Sequence, residues 1–329
     1  MNDNMFAILT PVLTLFICMA IGFSLRKINV LPDNSANTLA KLETYVFAPS
    51  LTFMSMATAF TPDSIVLHST NLLFAILTLV IALAIGIGLS YVFVPKKCYE
   101  RGVYQYALVF ANIGYMADPL VQAMFGDAVL GAYKFFCLPF TIIIYIWGIN
   151  ILTPEDKKTG STFKKLLNFP TLALLVGIVA GLTGALGFLP DFIVTTLNSL
   201  KVCMGPVAML LAGVTIARYD IKRLLTNKKV YIATLFRLII LPTILVLLIA
   251  GARMLINSIF ETTITAAPVY FAFFATAMPL GMNTIVFPEA YGGDPEPGAS
   301  MALISSTISV ITIPLLYMLL TLIVPCPFT

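Results

Sequence analysis

Charge is scarce in this chain of 329 residues. Asp, Glu, Lys and Arg together make up 10% of it, whereas about 25% of a typical soluble domain is charged. No stretch is polar enough to build a sizeable soluble domain. Histidine occurs once, at His68, in an expected outer loop. That excludes a Ser-His-Asp triad or an H-E-x-x-H zinc site inside the apolar segments. There is no G-x-x-x-x-G-K-[ST] phosphate loop, so nucleotide hydrolysis by that route is excluded as well. The five cysteines (Cys18, Cys98, Cys137, Cys203 and Cys326) show no C-x-x-C spacing and argue against a metal site or a disulfide framework. The expectation is a non-enzyme with no metal and no bound cofactor. The net charge of +4 resides in loops and gives no reason to expect nucleic acid as a partner.

What is present is apolar sequence. Hydrophobic residues form 59% of the chain and the mean hydropathy is +0.98. Stretches of about 20 apolar residues, each long enough to cross a hydrocarbon core of about 30 Å, recur from end to end. The fold class expected is an all-α polytopic membrane protein. Apolar windows predict ten transmembrane helices, at 6–25, 36–57, 69–93, 103–125, 130–152, 170–187, 192–216, 230–252, 264–288 and 299–324. The segment Met1-Asn2-Asp3-Asn4 carries no basic residue while Arg26 and Lys27 follow the first apolar run. This is the reverse of a cleaved signal peptide, so the first segment is expected to stay as a helix.

Lysine and arginine fall in alternate loops. One set holds Arg26 and Lys27, then Lys96, Lys97 and Arg101, then Lys157, Lys158, Lys164 and Lys165, then Arg218, Lys222, Arg223, Lys228 and Lys229. The other set holds Asp63, His68, Asp127, Asp191, Arg253 and Glu261, with Lys134 just inside the fifth helix. The basic set marks the cytoplasm and places both termini outside. One loop departs from the pattern: Glu289, Asp294 and Glu296 fall on the cytoplasmic side.

The lysine-rich connector 153–169 divides the chain into five-helix sets, 1–152 and 170–329. An odd number of helices per set inverts the second relative to the first. Prolines agree with such a repeat: Pro49, Pro119 and Pro139 fall in helices two, four and five, and Pro206, Pro279 and Pro314 in helices seven, nine and ten.

Two of these segments are interrupted mid-span. They read Asn112-Ile-Gly114-Tyr-Met-Ala117-Asp118-Pro119 and Met278-Pro279-Leu-Gly281-Met-Asn283-Thr284. A broken helix in lipid leaves backbone groups unpartnered, which is tolerated only where protein or a water-filled cavity replaces the lost bonds. Paired breaks in two halves point to a transporter's substrate site. Asn112 and Asn283 each offer one acceptor and two donors, and crossing half-helices would direct N-terminal partial charge at an anion. The bland reading is that each asparagine only bonds a neighbouring helix.

Asp118 lies within an apolar segment and must be partnered, protonated or facing water. It is either a proton or sodium acceptor or a marker of the site's mouth. Lys41, Lys201 and Arg237 are expected to snorkel, and Glu43 to pair with Lys41 or lie exposed at the inner surface. Gly86, Gly88, Gly177 and Gly181 are expected to serve close helix packing.

These motifs resemble the auxin efflux carrier family, whose bacterial members include malate and malonate permeases. The resemblance covers nearly the whole chain. It rests on Val46-Phe47-Ala48-Pro49, Phe110-Ala111-Asn112-Ile-Gly114 with Pro119-Leu120 and Phe125-Gly126, and Pro206-Val-Ala208-Met209 with Gly213. Its most specific part is Ala277-Met278-Pro279 through Asn283-Thr284, then Tyr291-Gly292-Gly293-Asp294, Ser305-Ser306-Thr307 and Ile313-Pro314-Leu315. It implies two inverted five-helix repeats, broken helices four and nine crossing at the substrate, and elevator-like alternating access. It also implies that Asn112, Pro119, Pro279 and Asn283 lie at the crossover, with Pro49 close by. Ala117 and Asp118 depart from the family pattern, which has glycine and an apolar residue there.

The function expected is secondary active transport of small organic anions, mono- or dicarboxylates, across a bacterial cytoplasmic membrane. The alternatives are a receptor that binds a carboxylate without moving it and a passive channel. The candidate substrate-binding set is Asn112, Gly114, Pro119, Pro279, Asn283, Thr284, Pro49 and Pro206, with Asp118 the candidate for coupling to H+ or Na+. The partners expected are the anion and the lipid bilayer, and the reading leaves room for a homodimer.

Overall fold

The computed structural model describes residues 2–95, 98–157 and 168–328. Lys96, Lys97, Lys158, Lys164 and Lys165, and with them most of the expected connector, lie outside the described residues. Among those described the regular structure is helical, apart from one isolated antiparallel bridge between Ala111 and Leu280.

The chain begins with α1 (Asn2–Lys27). A second segment follows in three pieces: α2 (Ser35–Leu42), a π-turn (Glu43–Phe47) and α3 (Ala48–Ala59). Next is α4 (Pro62–Phe93), 32 residues, or about 48 Å at 1.5 Å per residue. Its start is fixed locally, with Pro62 in the first turn and the Thr61 hydroxyl accepting from the Ser64 N–H. Then come α5 (Tyr99–Val109), a π-turn (Ile113–Ala117) and α6 (Asp118–Ile143), continued by a π-turn (Ile144–Gly148) and α7 (Ile149–Leu152).

The remaining helices are α8 (Phe169–Thr183), α9 (Asp191–Ala217), α10 (Ile221–Thr226) and α11 (Lys228–Leu235), the last joined by a π-turn (Phe236–Ile240) to α12 (Leu241–Phe260). The chain ends with α13 (Ala267–Thr276), α14 (Asn283–Tyr291) and α15 (Glu296–Ile323).

Among the described residues six spans are long and apolar enough to cross a membrane, and Phe169–Thr183 and Ala267–Thr276 are shorter apolar helices. Every predicted segment falls on helix, but breaks and π-turns divide several of them. The span Ile113–Leu152 combines the end of the predicted fourth helix with the fifth. Gly126, at φ 81° and ψ −178°, bends it where the sequence places the loop, in a conformation open to glycine.

Three of the π-turns have a chemical cause. A proline ring clashes with the carbonyl four residues earlier and supplies no N–H. Pro49, Pro119 and Pro242 each follow a π-turn that contains that carbonyl, on Tyr45, Tyr115 and Leu238. The wider i→i+5 turn accommodates the ring without ending the helix.

Glycine sets the two most extensive helix pairings. Gly22 and Gly213 bring α1 and α9 into backbone contact. Gly177 lets α8 approach α3, where a Cβ would lie 2.8 Å from the Phe53 carbonyl oxygen, and Gly181 does the same at Phe60, at 2.6 Å. Gly86 packs on Val109. Gly88, expected to pack, has open space where a Cβ would stand, so the close approach along α4 is made through Gly86.

Candidate substrate site

The two interrupted segments meet. Helix α5 ends at Val109, Phe110 is extended, and the Asn112 N–H donates to the Pro279 carbonyl at 2.9 Å. With the bridge from Ala111 to Leu280, each break supplies the backbone partners that the other lost. The Leu280 N–H donates to the Ser305 hydroxyl on α15 at 3.2 Å. Gly281 makes the approach feasible, since a Cβ there would lie 3.0 Å from the Tyr106 ring and 3.2 Å from the Phe110 carbonyl oxygen.

The two asparagines at this crossing differ. Both polar atoms of Asn283 are engaged: its Nδ2 donates to the Tyr106 hydroxyl at 2.6 Å, and its Oδ1 accepts from the Tyr115 hydroxyl at 3.0 Å. Asn112 is 1% exposed, and neither its Oδ1 nor its Nδ2 has a hydrogen-bond partner among the described residues. Thr284 turns its hydroxyl onto the Gly281 carbonyl at 3.0 Å, serving the start of α14. Pro279 is buried at the bridge.

A small cavity of about 60 Å³ opens beside the crossing. Gly114, Tyr115, Asp118, Asn283, Thr52 and Tyr145 lie on its wall. A larger cavity of about 400 Å³ adjoins it, bounded by Pro119, Pro206, Gln122 and Lys201. The two share Leu51, Gly114, Asp118, Lys134 and Met204. Pro49 lies on neither wall; it sits at the end of the π-turn that leads into α3.

Asp118 and Lys134 form an ion pair on the shared wall, with side chains 7% and 12% exposed. Both belong to α6, sixteen residues apart on either side of the bend at Gly126. The bend folds the second half of the helix back so that the ammonium reaches the carboxylate. One carboxylate oxygen, Oδ2, takes the lysine; Oδ1 is buried with no hydrogen-bond partner among the described residues. Sequence reasoning found Asp118 and missed its partner. The available signal was a lone cation and a lone anion in adjoining apolar segments.

Other charges correct the sequence reading. Arg237 is 0% exposed, and its guanidinium nitrogens have no partner among the described residues, so it does not snorkel. Glu43 is also 0% exposed, paired neither with Lys41 nor with any other described group. Lys41 is exposed. The acidic loop that departed from the charge rule meets the basic one: Arg218 bonds Glu289 at 2.5 Å and Arg223 bonds Glu296 at 2.9 Å. Those acids offset basic residues on the same face.

Paired broken segments, mutually bridged beside a charged cavity in an apolar helical body, are the layout of a transport site. A family model described as Membrane transport protein matches residues 7–317. The chain belongs to that family. It is of the auxin efflux carrier type, and the family match makes it a membrane transporter with several membrane-crossing helices. No curated protein gives a significant match to it.

Within this transport family member, helix ends supply the site's geometry and side chains its chemistry. Tyr106, Tyr115 and Tyr145 surround Asn283 and Thr52 with hydroxyls; Thr52 Oγ1 and the Tyr145 hydroxyl lie 3.3 Å apart. Lys134 and Lys201 supply positive charge to the larger cavity. An anionic group entering there meets an ammonium already held by a carboxylate.

Proposed function

We propose that this transporter carries small organic anions, mono- or dicarboxylates, by secondary active transport with elevator-like alternating access. The observation that carries the reading is the buried Asp118–Lys134 pair on the wall shared by two cavities, beside the bridged breaks. In this reading Asp118 stands in for the substrate: an incoming carboxylate takes Lys134. Asp118, released into a poorly solvated wall, takes up the coupling ion, H+ or Na+. Asn112, with two hydrogen-bonding atoms unused among the described residues, and the backbone at Gly114 hold the rest of the anion, while Asn283 and Thr284 fix the crossing beside it. Pro49, Pro119, Pro206 and Pro279 keep the segments open. No residue here is assigned a chemical reaction.

Ten membrane segments in two inverted repeats, 1–152 and 170–329 joined by 153–169, complete the proposal. The helix pairings support it. First-repeat helix one (α1) packs on second-repeat helix two (α9), and first-repeat helix two (α3) packs on second-repeat helix one (α8). A two-fold axis in the membrane plane requires that exchange. Basic loops place both termini outside the cytoplasmic membrane.

Uptake of labelled malonate and malate into proteoliposomes tests the reading. Saturable accumulation driven by a proton or sodium gradient, with counterflow from preloaded vesicles, is expected. Binding without accumulation or exchange makes the protein a receptor, and flux without saturation makes it a channel. Asp118→Asn is expected to lose gradient-driven uptake. Full gradient-driven uptake by that variant over a range of pH removes Asp118 as the coupling residue.

A further inference from the structure

We propose that Glu43 is a second proton-binding site of the transport cycle, on the opposite side of the crossover from Asp118. The inference rests on the transport reading above but on different atoms. Glu43 is 0% exposed, and both carboxylate oxygens are buried without a hydrogen-bond partner among the described residues. An ionised carboxylate in that position lacks any compensation for lost hydration, which is the most expensive way to bury a charge. Bound to a proton, the same group is tolerable.

Its place in the fold gives the proton something to act on. Glu43 opens the π-turn that leads to Pro49, and such single wide turns occur frequently at functional sites. Two turns earlier on the same segment, Asn37 Nδ2 donates to the Glu289 carbonyl at 2.5 Å, so Glu43 lies toward the end of the molecule where Arg218 and Glu289 pair. Asp118 begins the run toward the other end, where Asp127 lies. Tyr115 and Tyr145 lie within electrostatic reach of the Glu43 carboxyl, and Tyr145 also of Asp118. Tyr115 in turn bonds Asn283. The polar cluster at the crossing therefore has two carboxyls within reach, Glu43 and Asp118.

Among the described residues nothing packed around Glu43 neutralises it. The π-turn packs against α2, α3, α8, α9 and α14. On α2 the one charged group is Lys41, which is exposed. Neither α3 nor α8 has a titratable residue, and α9 has none between Cys203 and Arg218. On α14 the titratable groups are Glu289, held by Arg218, and Tyr291. With no cation paired to it among the described residues, the proton is the partner this carboxyl accepts. When the elevator movement opens its side to water, Glu43 releases that proton to solvent, and it takes one up again before it is enclosed.

Two measurements on full-length protein test this. The first is infrared spectroscopy near neutral pH, comparing wild type with Glu43→Gln, a near-isosteric replacement for the protonated acid. A protonated-carboxyl stretch present in wild type, retained in Asp118→Asn and absent from Glu43→Gln is expected. Its absence from wild type overturns the proposal whether or not any carboxylate is transported.

The second measurement uses malonate and malate in proteoliposomes with an internal pH dye. Glu43→Gln is expected to keep counterflow while substrate-linked proton movement and pH-driven accumulation fall at least tenfold. Wild-type proton movement in the variant overturns the proposal. If wild type moves neither anion, the carboxylate reading fails and the infrared result alone decides Glu43.

Discussion

The breaks at Asn112 and at Asn283 share a backbone plan but differ in chemistry. Both interrupt an apolar helix, and each supplies the other's missing partner through the Asn112 N–H and the bridge at Leu280. The second break is saturated: Asn283 holds two tyrosines and Thr284 closes on Gly281. The first is not, since among the described residues Asn112 has no side-chain partner and Asp118 leaves one oxygen unpaired. Saturated polar groups fix a geometry, whereas unsaturated ones are available to something that arrives. In the proposed reading the second break holds the architecture and the first does the binding.

The largest effect expected comes from the charged side of this contrast. Lys134→Ala leaves the Asp118 carboxylate buried and alone, and breaking a buried pair from one side costs about 3 to 5 kcal/mol. The melting temperature in detergent should fall steeply and uptake should vanish. Adding Asp118→Asn to the Lys134 variant should recover most of the melting temperature and none of the uptake. A Lys134→Ala protein that melts like wild type would show that the pair is solvated, and the contrast between the breaks would lose its main support.

On the architectural side, Gly281→Ala should cost about 1 to 3 kcal/mol, the range for forcing atoms into a packed site, because its Cβ must enter between Tyr106 and the Phe110 carbonyl. Gly114→Ala is the control in the other break: a Cβ there meets only Met204 and Leu51, at 3.6 and 3.7 Å. Thermal unfolding of the two variants compares the breaks directly. Equal losses would mean that both are packed alike. Asn283→Ala should follow, at about 1 to 2 kcal/mol, because the Tyr106 and Tyr115 hydroxyls lose their partner.

How much of this was legible in the sequence depends on the range of the interaction. Helix positions came through because apolar length is local, and the bend at Gly126 fell where the loop was read. The breaks are legible in proline, glycine and asparagine, whose effects on the backbone are also local, and their crossing is what the family resemblance implies. The Asp118–Lys134 pair was not read, because it depends on how far the chain folds back at Gly126. Glu43 and Arg237 were misread for a related reason. Hydropathy places a residue along a segment but not around it, and both face inward where a snorkelling or surface position was expected. Likewise, only packing shows that Glu289 and Glu296 meet Arg218 and Arg223.

The smallest effect on stability, and the most informative one, should come from Asn112→Ala. Asn112 has no side-chain hydrogen bond to lose, and its bond to Pro279 runs through the backbone N–H, which alanine retains. The stability change should stay within about 1 kcal/mol, below that of Asn283→Ala, because neither partner nor cap is removed. Transport should respond in the opposite order. If Asn112 supplies its free amide to a carboxylate, its loss raises the concentration for half-maximal uptake by about tenfold, the equivalent of one hydrogen bond to a charged group. Asn283→Ala should act mainly through the fraction of folded protein. Asn112→Ala with wild-type uptake would leave both asparagines structural and move the anion's contacts to Lys134 and the cavity hydroxyls alone.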